Sequence, residues 1–234
     1  KKNSKTFFYL AITYEKIGKF KNAVENYKQA INLDKNDAGA LCNLGQLYLT
    51  IGNIEEAKKY ISLSIKAEPN LDASFNNLGL INMALGYLED AKQNFLYAIK
   101  FNPNNTKAYF NISKLLNYKD DDKHFQKLLT LSKSLKFNEK KEFLYFALGK
   151  AFDDRGDHKK SFYYYRKGNF LKRSTIIYSF NNNKKLFNNI KRTFNKSIIY
   201  KFKNCGAQDI TPIFIVGMPR SGTSLIEQVL ASHS

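Results

Sequence analysis

Two cysteines, Cys42 and Cys205, are too few for a disulfide framework. Three histidines, His124, His158 and His233, lie far apart, and no Cys/His spacing marks a metal site. No apolar run approaches the roughly 20 residues that a membrane-crossing helix needs, which argues against a helical span. Lys1 is not an initiator residue, so a leader before it stays open, and a cytoplasmic location is the default expectation. Acidic residues are missing between Asp157 and Asp209, a window that holds thirteen lysines and arginines. Residues 1–105 carry 13 basic and 10 acidic side chains, net +3, whereas residues 106–234 carry 25 and 10, net +15. A stripe of this kind attracts polyanions. The plainer reading is a lysine- and asparagine-rich habit on solvated helix faces, of which 181–185 is an example. Tyr163, Tyr164, Tyr165 and Phe170 interleave with these charges and could in principle stack bases. No nucleic-acid motif accompanies them, so helix packing explains them better and nucleic-acid binding is not expected.

What is present is repetition at a spacing of 34 residues. Leu10, Leu44 and Leu78 align, each followed by a small residue, Ala11, Gly45 or Gly79. Gly18, Gly52 and Gly86 align, as do Ala23, Ala57 and Ala91, and Tyr27, Ile61 and Phe95. Ala30, Ser64 and Ala98 follow, then Lys35, Pro69 and Pro103. Small residues allow antiparallel helices to approach closely. Glycine in the turn tolerates a left-handed backbone. Proline ends the second helix. A single repeat cannot bury its apolar face, so stacking supplies the core.

This pattern resembles the tetratricopeptide repeat, with the usual tryptophan replaced by Phe7, Leu41 and Phe75. Three repeats are expected, at roughly 4–37, 38–71 and 72–105, within a first domain of 1–105. A fourth first helix opens at Tyr109, with Ile112 and Ser113 in the Leu-small positions, before a polar break at 117–122. Phe125, Leu128, Leu129 and Leu135 suggest a further amphipathic helix. The register returns in degraded form at Leu148, Gly149, Gly156, Ser161 and Tyr165, so residues 106–170 are read as degenerate repeats. Residues 171–211 are read as a basic helical connector. The resemblance implies a groove that grips a peptide or partner protein, with Phe8, Ile12, Cys42, Gln46, Asn76, Leu80 and Met83 as its expected lining. These positions are mixed in character and show no basic clamp.

The last 23 residues, 212–234, have a different character. Ile213 to Val216 has strand character. The tight loop Gly217-Met-Pro-Arg-Ser-Gly222 follows, and then Leu225, Ile226, Val229 and Leu230 recur at helical spacing. Strand, glycine-bounded loop and helix is an arrangement that cradles phosphate. The glycine spacing fits the nucleotide-binding pattern G-x-x-x-x-G-K-[ST], but Thr223 stands where the lysine belongs. A cation sits inside the loop instead, at Arg220, whose planar fork of donors suits anionic oxygens.

Pro219-Arg220-Ser221-Gly222-Thr223-Ser224-Leu225 closely resembles the loop with which sulfotransferases hold the phosphosulfate of 3′-phosphoadenosine-5′-phosphosulfate (PAPS). It is especially like that of tyrosylprotein sulfotransferases and of bacterial sulfotransferases that carry tetratricopeptide repeats. The stretch 147–169 also resembles the segment that joins repeats to catalytic domain in the bacterial group. The resemblance implies that Arg220 contacts the phosphosulfate and offsets charge on the leaving group. Ser221, Gly222 and Thr223 would donate backbone N–H groups, Thr223 and Ser224 would add hydroxyls, and Pro219 would stiffen the loop. Such preorganised donors stabilise developing charge without a metal. No general base is in view, since Glu227 falls inside the expected helix and reads as a supporting residue.

The expected fold is therefore mainly α. It is a tetratricopeptide-type superhelix of antiparallel helix pairs, followed by the first strand, loop and helix of an α/β, P-loop-like sulfotransferase domain. The expected function is sulfuryl transfer from PAPS to a hydroxyl, with protein tyrosine as one possible acceptor. These 234 residues alone are expected to be inactive. Two other readings stay open. One is a non-catalytic repeat scaffold with an incidental loop, and the other is a phosphate-loop kinase.

Overall fold

The computed structural model describes residues 3–119, 122–135, 138–176 and 179–202. The expected strand–loop–helix at 212–234 lies outside them. The chain divides into two units, 1–177 and 178–234.

The first unit is built from helix pairs. α1 (Ser4–Lys16) packs on α2 (Phe20–Leu33), α3 (Ala38–Ile51) on α4 (Ile54–Ala67), and α5 (Asp72–Ala84) on α6 (Leu88–Phe101). Each second helix buries a single stripe at i, i+4 and i+7: Ala23, Tyr27 and Ala30; Ala57, Ile61 and Ser64; Ala91, Phe95 and Ala98. That spacing is one face of a 3.6-residue period. The facing first helices supply small residues where the bulky ones press. A Cβ added at Gly45 would lie 2.7 Å from Ile61, and one added at Gly79 would lie 2.5 Å from the Phe95 ring.

The pairs turn alike. Gly52 has φ +88°, a left-handed conformation costly for any residue with a Cβ. Its N–H bonds the Leu49 carbonyl, and the Asn53 N–H reaches back to Tyr48 at 2.9 Å, so the end of α3 is closed by a Schellman-type cap. Asn53 then caps α4, its side chain accepting from the Glu56 N–H. Gly18, Gly86 and Gly156 hold the same left-handed conformation at the corresponding turns. Polar bonds stitch the helices within a pair and join one pair to the next. Ser64 Oγ donates to the Ala38 carbonyl at 2.8 Å and lies 2.7 Å from Ser74 Oγ, while Asn102 and Asn105 both donate to Asp72 Oδ2.

The fourth pair departs from this plan. α7 (Thr106–Ser113) has only 8 residues and ends in tight turns at Lys114 and Leu115. The segment after it is tied to α9 (Asn138–Asp154). The Tyr118 N–H donates to Asp154 Oδ2 at 3.0 Å, Lys150 bonds the Leu116 carbonyl and Asp154, and Arg155 donates to the Tyr118 carbonyl and to Asp122. Tyr118 is fully buried, with its hydroxyl 2.9 Å from His124 Nδ1. α7 consequently packs on α9. α8 (Asp122–Ser134) also packs on α9, through a core that includes Phe125, Leu128 and Leu131. α10 (His158–Thr175) completes the pair with α9, and Gly149 meets the Tyr165 ring as Gly79 meets Phe95.

In the second unit, α11 (Phe180–Thr193) is capped by Ser179 and α12 (Lys196–Lys201) by Asn195. α11 carries Leu186, Phe187 and Ile190 exposed beside Lys184, Lys185, Lys191 and Arg192.

Two consequences follow for stability. Gly79→Ala gains up to about 1 kcal/mol of helix propensity. It forces a methyl against Phe95, and overpacking of this kind costs about 1–3 kcal/mol. A lower urea midpoint is expected, and a raised one would mean the helices can part without cost. Tyr27 is fully buried and donates its hydroxyl to Glu15 Oε2 at 2.9 Å. Burial first, and the Glu15 carboxylate second, raise its pKa well above the ordinary 10.0. The unfolded phenol ionises first, so this group's contribution is intact below about pH 10 and is lost as pH rises beyond it. Tyr27→Phe should make the alkaline fall in urea midpoint shallower. An unchanged slope would exclude Tyr27 as its source.

Candidate functional site

The first helices form the inner face of the stack, with α3 against α5, α5 against α7, and α7 against α9. Two hollows open on this face and share Gln46. One, of about 260 Å³, is lined by Asn76, Asn77, Leu80, Lys107, Phe110 and Phe143 among others. The other, of about 310 Å³, is lined by Ile12, Glu15, Lys16, Tyr27, Asn43 and Gln46. Together they make a groove with two chemically different ends.

At the α1 end the groove wall is polar, because Glu15 accepts from Tyr27 beside Asn43. At the α9 end it is aromatic and cationic. Phe110 and Phe143 lie 5.7 Å apart, Lys107 sits 5.8 Å from the Phe143 centroid, and Lys114 sits 4.2 Å from that of Phe110. Partial burial holds the Lys114 ammonium below the ordinary lysine pKa. Between the ends, Asn111 Nδ2 donates to Asn76 Oδ1 at 2.9 Å, which fixes both amides below the groove surface. An elongated, partly apolar groove with fixed amides and rim cations suits a peptide better than a compact metabolite.

Of the residues expected from sequence, Ile12, Gln46, Asn76 and Leu80 line the groove. Cys42, Phe8 and Met83 do not. Cys42 is buried against Ile61 and Ile81, where it accepts from Asn77 at 3.4 Å, and burial raises its thiol pKa. Phe8 packs edge-on against Tyr27, and Met83 packs on the core beneath α5 and α6. Lys16 and Lys107, which were not among the expected positions, also line the groove, one in each hollow. Asn43, Asn77 and Asn111 were legible in the 34-residue register. Phe143 was not, because it comes from α9, beyond the break.

Part of the basic stripe serves local structure. Lys160 pairs with Asp157 at 2.8 Å, Lys172 with Glu142 at 3.3 Å, and Lys167 covers the Tyr163 ring. Tyr164 stacks on Phe152 at 5.3 Å and Tyr165 fills the space over Gly149, as helix packing requires. Tyr163 is half-exposed yet packs edge-on against Tyr164, whereas Phe170 is largely exposed, against that expectation. Pro219, Arg220, Ser221, Gly222, Thr223 and Ser224 lie outside the described residues. No described helix is long and apolar enough to cross a membrane.

Comparison with known proteins matches residues 13–52 to the family model "TPR repeat", and 38–71 and 73–105 to "Tetratricopeptide repeat". Residues 212–234 match "Sulfotransferase family". An uncharacterised protein of Aquifex aeolicus (strain VF5) is 34% identical over 119 residues, which are 50% of this chain and 16% of that relative. This chain thus spans only a small part of that relative's length. Among solved structures, the Cut9–Hcn1 hetero-tetramer of APC/C aligns with TM-score 0.62 at 16% identity, over 72% of this chain and 34% of that one. The thermophilic TPR protein TTC0263 of Thermus thermophilus aligns with TM-score 0.57 at 18% identity, over 70% and 89%. At such identities the likeness is one of fold. Pairing of the helices, left-handed glycines at each turn and the family matches converge, and the helical pairs of residues 13–105 are tetratricopeptide repeats.

Proposed function

We propose that this chain is a protein-interaction scaffold whose inner groove holds a peptide segment of a partner. The observation that carries this reading is the groove itself, continuous through Gln46 and ending at the Phe110–Phe143 pair with Lys107 on its rim. The fixed amides can orient a peptide backbone, and the aromatic end can take an apolar side chain beneath a cation. Peptides selected by display against the chain should bind at least tenfold more weakly to Gln46→Ala/Lys107→Glu, read by anisotropy. Equal binding to both proteins would place the peptide site elsewhere.

The match at 212–234 favours a second reading, in which the scaffold delivers a partner to a PAPS-dependent sulfotransferase domain. The donor set fits a phosphosulfate chemically: Arg220 offers a permanent charge, Ser221, Gly222 and Thr223 backbone N–H groups, and Thr223 and Ser224 hydroxyls. PAPS would supply the sulfuryl group, and a hydroxyl of the held partner, tyrosine included, would accept it. The chain's own contribution would be to bind and orient the anion at Arg220 without a metal. In the full-length gene product, Arg220→Ala should weaken PAPS binding by about 10- to 100-fold, the loss expected for a hydrogen-bonded charge. Calorimetry showing no PAPS binding to the unmodified protein, or a preference for ATP with magnesium, would remove this reading.

A further inference from the structure

The stack is open along one side of α6. Two adjoining cavities, of about 670 and 290 Å³, share Leu96 and Lys127. Their lining comes mainly from α6 and α8, with contributions from Tyr109 and Ile112 of α7. This opening is a product of the fourth pair's departure from the repeat. With α7 shortened and α8 packed chiefly on α9, α8 does not close against α6 as neighbouring helices do elsewhere in the stack.

The chemistry of the cleft is one-sided. Its floor is mainly aliphatic, from Leu96, Ile99, Ile112, Leu116 and Leu131. Lys92 and Lys100 stand on α6, and Lys123 and Lys127 on α8. Among the described residues, no acidic side chain lines either cavity, and the ion pairs involve none of these four lysines. Lys92 and Lys100 are two turns apart, about 12 Å at 1.5 Å per residue. A single phosphate cannot span that distance, whereas about four residues of extended peptide can, at roughly 3.3 Å each. Gln126, Thr130 and Ser134 add polar groups within reach of a peptide backbone. Tyr109 and His124 also line the cleft but are buried, so neither offers the open aromatic face on which a nucleic-acid base stacks, and the mainly aliphatic floor favours peptide.

We propose that the α6–α8 cleft binds an extended acidic peptide segment in which carboxylates alternate with apolar side chains. In an extended strand successive side chains point to opposite faces, so one face lies on Leu96, Ile99 and Leu131 while the carboxylates meet the lysines of both helices. This site shares no lining residue with the inner groove, although α7 contributes to both.

The test uses the 234-residue chain and a fluorescein-labelled hexapeptide of alternating glutamate and leucine. Saturable binding is expected that weakens with salt. Lys100→Glu/Lys127→Glu should lower affinity at least tenfold, and Lys58→Glu, at an exposed lysine that lines neither site, should leave it unchanged. In the unmodified protein the peptide should shift the methyl resonances of Leu96 and Leu131, a readout that stands even if the double variant fails to fold. Unaltered affinity in a folded double variant, an equal loss on Lys58→Glu, or methyl shifts elsewhere would overturn the proposal. So would tighter capture of a single-stranded oligonucleotide by the same lysines.

Discussion

Everything in the first unit depends on how closely two antiparallel helices can approach. Gly45 faces Ile61, Gly79 faces Phe95 and Gly149 faces Tyr165, each too near for a Cβ between them. Side chains in close-packed interiors have few voids to move into, so this contact sets the separation of these three pairs. The separation in turn positions the stripe of the second helix against the next pair. Ala38, Ser64 and Ser74 can then meet through hydrogen bonds of 2.7–2.8 Å, which leaves no buried hydroxyl wanting a partner at that junction. A change at one glycine thus acts on the pair and on the register of its neighbour.

The fourth pair shows what happens when that constraint is released. Lys114 and Leu115 occupy the positions where a regular first helix would continue, but the chain turns and buries Tyr118 instead. The cost of burying a phenol and a backbone N–H is offset by His124 and Asp154, which accept or share their hydrogens. Lys150 and Arg155 anchor the same turn to α9. The array therefore continues past the break by passing from α7 to α9, and α8 becomes an outer helix. The inner groove is preserved, since Phe110 of α7 meets Phe143 of α9, while a second, lysine-rimmed opening forms on the other side.

How much of this was legible follows from how local each cause is. The left-handed turns could be read from Gly18, Gly52 and Gly86, because a positive φ is a property of one residue and its neighbours. The buried stripes could be read from the 34-residue alignment of Ala23, Ala57 and Ala91 with their partners. Groove lining was only partly legible. Cys42 and Gln46 both lie on α3, four positions apart, yet Cys42 turns beneath Ile81 whereas Gln46 faces the hollows. A small rotation of one helix decides between those outcomes, and periodicity does not resolve it. Phe143 and the α8 displacement were beyond reach, because they depend on a buried tyrosine bonded to residues more than thirty positions away.

The uneven charge can be understood from the same architecture. Where the repeats are regular, the surface is nearly balanced and the groove is mixed, with Glu15 at one end and Lys107 at the other. Past the break, several basic side chains are drawn into structure: Lys150 to Asp154, Arg155 to Asp122 and Lys172 to the buried Glu142. Exposed ion pairs of this type contribute little stability individually. Those that pin a turn or neutralise a buried carboxylate do more, since removing the partner leaves a charge uncompensated. Lysines of α6, from the balanced half, and of α8, past the break, gather instead around a mainly aliphatic floor. Long aliphatic stems can cover such a floor while keeping their ammonium groups in water. The cleft can therefore stay soluble when empty and still present cations to an incoming carboxylate, so the feature that opens the fold there also makes the opening selective.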